Sequence, residues 1–116
     1  MSSVKTAIRI LHQNHIAIGP GKADLLEAIL QYGSISAAAK SMNMSYKRAW
    51  DLVTIMNASF LAPLVTTAIG GTHGGGATLT ELGQEVLRLY RDVQVKAERY
   101  VEQEAQDLAL LLAKIP

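Results

Sequence analysis

The sequence predicts a mainly α fold with small β elements: a winged helix-turn-helix with an N-terminal β-hairpin and a long C-terminal dimerisation helix. Three observations predict it. Between residues 22 and 58, apolar residues recur at helical spacing in three consecutive segments. A β-branched-rich run at 64–69 and a short segment at 77–79 that could return as its partner flank a glycine-rich stretch, as two strands and their loop would. A last helical pattern starts after Thr80 and continues further than so small a domain can cover unaided.

The elements follow in order. Residues 4–11 alternate Thr6, Ile8 and Ile10 against Lys5, Ala7 and Arg9, the period of a half-buried strand. Asn14 suits a left-handed turn, and 16–18 return as a second strand, so a hairpin is expected over 4–18. Leu25, Leu26, Ile29 and Leu30 give a helix over 22–32 that Gly33 stops. Ser34 or Ser36 caps a short second helix through Ala37, Ala38 and Ala39, which Asn43 breaks. Ser45 caps a third helix over 46–58, so the helix-turn-helix spans 34–58. Pro63 ends the helical region, and a two-stranded wing is expected over 64–79. One domain thus runs over 1–80, and 81–116 supply its dimerisation helix, capped by Thr80 and about 50 Å long if it reaches 113.

Composition removes several classes of function. With 116 residues, 49% of them hydrophobic, the chain suits one compact domain and not a disordered tail. Without cysteine it has no disulfide, thiolate metal site or Cys nucleophile. Its longest apolar run, 108–113, is far below the roughly 18 residues that span a bilayer, and no signal peptide is visible, so a soluble cytoplasmic protein is expected. No Ser-His-Asp pattern, paired carboxylates or nucleotide fingerprint is present, and an enzyme is not expected. The 70–76 stretch holds five of the nine glycines, yet no Lys-Ser or Lys-Thr follows, so a wing tip fits it better than a phosphate loop. His12, His15 and His73 have poor ligand spacing; neither a metal nor a cofactor is expected.

The most informative stretch is GSISAAAKSMNMSYKRAWDLVTIMN at 33–57. Ala38 and Ala39 permit a close helix crossing, and Met42-Asn43-Met44 a tight turn. Ala49, Leu52, Val53 and Met56 are spaced to face the core, leaving Lys47, Arg48, Asp51 and Thr54 outward. Trp50 is read as core or interface packing, with a groove-edge role as the alternative, and Asp51 as the partner of Arg48. This string, with the glycine-rich stretch and TLTELG after it, resembles the N-terminal DNA-binding domain of the ModE family of molybdate-responsive regulators. The helix-turn-helix of that family is similar to that of LysR-type regulators. The matching pieces are Gly33-Ser34-Ile35-Ser36, Ser45-Tyr46-Lys47, Ala49-Trp50-Asp51, Met56-Asn57, the glycine-rich wing, and Leu79-Thr80 with Gly83, over about residues 20 to 90.

The resemblance implies a homodimer that binds an inverted-repeat operator in double-stranded DNA and regulates transcription. Base and phosphate contacts then fall to Ser45, Tyr46, Lys47 and Arg48 on the recognition helix, and to Ser34, Ser36 and Lys40 just before it. Thr72, His73 and Gly74 are the wing's contacts. Leu82, Val86, Leu89, Val93, Ala97 and Tyr100 step at near-heptad spacing and are the expected dimer seam. Full-length members of the family carry C-terminal molybdate-binding domains, for which this chain has no room. It therefore reads as a stand-alone DNA-binding member or a piece of one, with molybdate binding not expected. Two other readings are a dimeric protein-interaction module and a direct metal or oxyanion sensor using the wing and His73. Charge is segregated: through Asn57 there are six basic and three acidic residues, and from Thr80 onward five and seven.

Overall fold

The computed structural model describes residues 3–68 and 75–115. Among these, the order is β1 (Ile10–His12), β2 (His15–Ile18), α1 (Pro20–Tyr32), α2 (Ile35–Ser41), α3 (Tyr46–Ser59), β3 (Val65–Ala68), β4 (Gly76–Leu79), α4 (Glu81–Glu104) and α5 (Gln106–Ala109). The strands form two separate antiparallel pairs, β1 with β2 and β3 with β4. The first four helices start where their sequence offers a terminus. Pro20 opens α1, Ser34 Oγ accepts from the Ala37 N–H at 3.0 Å, Ser45 Oγ from Arg48 N–H at 3.1 Å, and Thr80 Oγ1 from Gly83 N–H at 3.0 Å. Gly33 closes α1 at φ 77°, a conformation open to glycine at no steric cost.

The core gathers α1, α2, α3, the two strand pairs and the first turns of α4. Leu25, Leu26, Ile29, Met56 and Leu64 are its largest fully buried side chains. Ala38, Ala39 and Ala49 are buried too, and their small side chains let α2 and α3 approach α1 closely. Of the core face expected for α3, Ala49, Val53 and Met56 are buried, while Leu52 is half-buried at the core's edge.

The hairpin is shorter than its alternation implies. Only Ile10–His12 pairs with His15–Ile18, and the left-handed turn residue is Gln13, at φ 55°, rather than Asn14. Residues 4–9 keep the alternation without a partner strand: Val4, Thr6 and Ile8 are half-buried and the residues between them exposed. They lie along α4 instead, where Tyr90 Oη donates to the Ile8 carbonyl at 2.6 Å and Thr6 Oγ1 to Glu98 Oε1 at 3.4 Å. The tyrosine is 4% exposed. Burial raises its phenol pKa above the ordinary 10.0, with Asp24 adding to the rise and Arg91 and Arg9 opposing it. A raised folded-state pKa stabilises the fold fully below pH 10 and ceases to do so as pH climbs past it. Tyr90→Phe is therefore expected to cost about 1 kcal/mol at neutral pH through the lost hydrogen bond. Thermal melts should show the gap between variant and parent narrowing above pH 10; a gap that is constant with pH would show that the contribution is not linked to ionisation of the phenol, and no gap at all that the hydrogen bond adds nothing.

The long helix also differs from expectation. It stops at Glu104 rather than running to 113, and after a turn at Ala105 the short α5 follows. Its last turn carries Glu102 and Glu104 and no basic residue, an arrangement that the helix dipole disfavours and that weakens this end of the helix. At 24 residues it is about 36 Å long. Of the expected seam, Leu82 and Val86 pack on the molecule's own core beside buried Leu87 and Tyr90, and Ala97 is half-buried. Leu89, Val93 and Tyr100 are exposed. Arg91 ties α4 to α1, with its guanidinium 2.8 Å from Asp24 and 3.4 Å from Glu27.

Candidate functional site

The turn between α2 and α3 places the predicted residues in two groups. Ser34, Ser36 and Tyr46 line one open cleft of about 380 Å3, together with Trp50 and the strand-end residues Thr67 and Gly75. The Ser34 hydroxyl is already engaged as the α2 cap, and the Ser36 side chain is exposed. Tyr46 and Trp50, one helical turn apart, stack with ring centroids 6.2 Å apart and planes 26° apart. Trp50 is 44% exposed, so of the core or interface packing read from its apolar surface the core part is corrected: its neighbour is Tyr46, on the rim of the cleft. Among the described residues, no charged side chain lines this cleft.

The other predicted residues lie apart from it. Lys40 is exposed at the last turn of α2, and the Ser45 hydroxyl is engaged as the α3 cap. Lys47 Nζ lies 3.0 Å from Asp51 Oδ2, both well exposed, which replaces the expected Arg48–Asp51 pair. On a helix both i,i+3 and i,i+4 partners are within reach, and here the lysine four residues away takes the carboxylate. Such an exposed pair contributes little to stability. Arg48, left without it, lines a different cavity. Thr72, His73 and Gly74 lie outside the described residues. His12 and His15 face each other across the end of the hairpin, and among the described residues no group of three or more His, Cys, Asp or Glu could hold a metal ion. No helix among the described residues is long and apolar enough to cross a membrane.

Sequence reasoning missed Arg9 and Lys22, which join Arg48 around that second cavity. Their spacing carries no motif; the only sign in the sequence is the basic excess before Asn57. It also assigned no role to Asn57, whose amide fastens the start of β3. Asn57 Oδ1 accepts from the N–H groups of Leu64 and Val65 at 2.8 and 3.1 Å, and Nδ2 donates to the Val65 carbonyl at 3.1 Å.

No family model matches the chain. It is 38% identical over 106 residues to the molybdenum-pterin-binding protein MopB of Rhodobacter capsulatus, a match covering 91% of this chain and 39% of that protein. Against the molybdenum-pterin-binding protein MopA of the same organism it is 46% identical over 70 residues, covering 60% and 26%. Against the DNA-binding transcriptional dual regulator ModE of Escherichia coli K12 it is 40% identical over 107 residues, covering 89% and 41%. The chain therefore spans between about a quarter and two fifths of the length of these relatives.

Two of the three names state molybdenum-pterin binding, and they correct the sequence reading. The assignment to a stand-alone DNA-binding domain of the ModE type, with molybdate excluded, does not stand against them. Withdrawn with it are winged helix-turn-helix as the name of the fold, operator-binding transcriptional regulation as the function, and duplex DNA without molybdate as the partner. DNA binding, printed in the third name, is not shown for this chain. The observed fold is a mainly helical domain with two two-stranded sheets. None of the three relatives is named for an enzymatic activity.

Proposed function

We propose that this chain is a non-catalytic binding module for a molybdenum oxyanion. The observation that carries the reading is the 38% identity to a molybdenum-pterin-binding protein across 91% of this chain. Molybdate is a tetrahedral dianion, and removing it from water requires cations or several hydrogen-bond donors around it at once. Among the described residues, the cleft beside Tyr46 and Trp50 offers hydroxyls but no counter-charge. The basic half of the chain, before Asn57, is the better source of one.

Calorimetric titration with molybdate and tungstate at low salt tests the reading, with sulfate as the control and a gel shift on mixed-sequence duplex DNA run alongside. Saturable heat with molybdate and tungstate, at least about tenfold tighter than with sulfate, is the expected result. Silence with both ions overturns the reading. A duplex shift accompanied by that silence would return the chain to the DNA-binding role that the relatives' names displaced.

A further inference from the structure

We infer that Arg9, Lys22 and Arg48 form a site for a tetrahedral oxyanion group, in the cavity between the N-terminal hairpin, the start of α1 and the face of α3. The inference deepens the proposed function and rests on it for the choice of a free ion as occupant. The cavity measures about 280 Å3, enough for such a group with some of its water, and among the described residues no carboxylate lines it. Its three cations come from separate elements, so their convergence is a product of the fold.

The three are held differently. Lys22 is 9% exposed and its Nζ donates to the Ile16 carbonyl, which fixes the ammonium at the wall and leaves two of its three donors open. Burial lowers its pKa, the mark of a charge short of solvent and lacking a counter-ion. Arg9 lies close over Gly19, where a Cβ would come within 3.3 Å of its Cγ; the glycine leaves room for the stem. Arg48 is exposed on α3 beside the pair that Lys47 and Asp51 make with each other. Among the described residues neither Arg9 nor Arg48 enters an ion pair. Two guanidinium-bearing side chains and one fixed ammonium, carried on separate segments around one cavity, suit four oxygens on a tetrahedron better than the two of a planar carboxylate.

The same chemistry has two sources, a free ion such as molybdate and a phosphodiester group of a nucleic-acid backbone. NMR titration of the intact chain distinguishes them by following the Gly21 amide and the Arg9 and Arg48 Nε signals. Molybdate and a 12-base-pair duplex are the probes, used separately. Arg9→Gln and Arg48→Gln accompany the parent, with melting temperatures showing that both remain folded. Saturable shifts with molybdate, weakened about tenfold by each substitution, are the expected result. Shifts with the duplex alone, weakened by the same substitutions, would keep the site, assign it to a phosphodiester and overturn the proposed function. Molybdate binding at undiminished affinity in both variants would overturn the site while leaving the proposed function standing. If neither probe moves these signals in the parent chain, the site is overturned without recourse to the variants.

Discussion

Gly83→Ala is expected to lower stability by about 3 kcal/mol or more, although alanine is the better helix former by about 1 kcal/mol. The reason lies outside the helix. A Cβ on residue 83 would stand 2.2 Å from the Leu64 carbonyl oxygen, 3.0 Å from its carbonyl carbon and 3.2 Å from its Cα. All three are backbone atoms, so no rotamer change relieves the overlap. The same carbonyl accepts the Thr80 N–H at 2.9 Å and lies 3.3 Å from the Thr80 hydroxyl that caps α4. Moving Leu64 away therefore also disturbs the start of the long helix. For a chain of this length the expected loss corresponds to a fall in melting temperature of about 10 °C or more. Circular dichroism melts measure it; a variant melting within a degree or two of the parent would show that the two backbones part without cost.

That close approach marks the boundary of what the sequence discloses. Local signals were legible because their partners are local. Ser34, Ser45 and Thr80 each serve a backbone N–H three residues on, and Gly33 closes the helix just before it. The apolar face of α3 was readable from its spacing, because a helix repeats whatever it packs against. The rest depends on residues far apart in the chain. The alternation at 4–9 correctly marks one side as half-buried, but only the fold shows that α4, and not a strand, covers it through Tyr90, 82 residues from Ile8. The apolar spacing of α4 continued past Glu104 and gave no sign of the break that the backbone makes at Ala105. Of the candidate site, the serines and Tyr46 could be placed beforehand on one helix-turn unit. Lys22 could not, because a buried lysine on an amphipathic helix reads like any other surface lysine until Ile16 and Arg48 are brought beside it. The family resemblance carried the motifs but set molybdenum aside, and the relatives' names corrected it.

Asn57→Leu is expected to be comparably damaging, about 3 kcal/mol, because leucine keeps the volume and removes three hydrogen bonds at once. The Leu64 and Val65 N–H groups that Asn57 Oδ1 now receives would lie part-buried without acceptors, and the Val65 carbonyl would lose its donor. Asn57→Asp separates the two roles. A carboxylate keeps the acceptor for both N–H groups but puts a second oxygen against the Val65 carbonyl, so an intermediate loss is expected. Both this side chain and Gly83 act on Leu64, one fixing its N–H and the other making room for its carbonyl. The double change Gly83→Ala with Asn57→Leu should therefore cost less than the two single losses added together, since whichever comes first has already released the segment that the second would strain. Urea unfolding of the four proteins measures the coupling. Strict additivity would mean that the two contacts hold Leu64 independently, and that α4 and the start of β3 are not fastened to α3 as one unit.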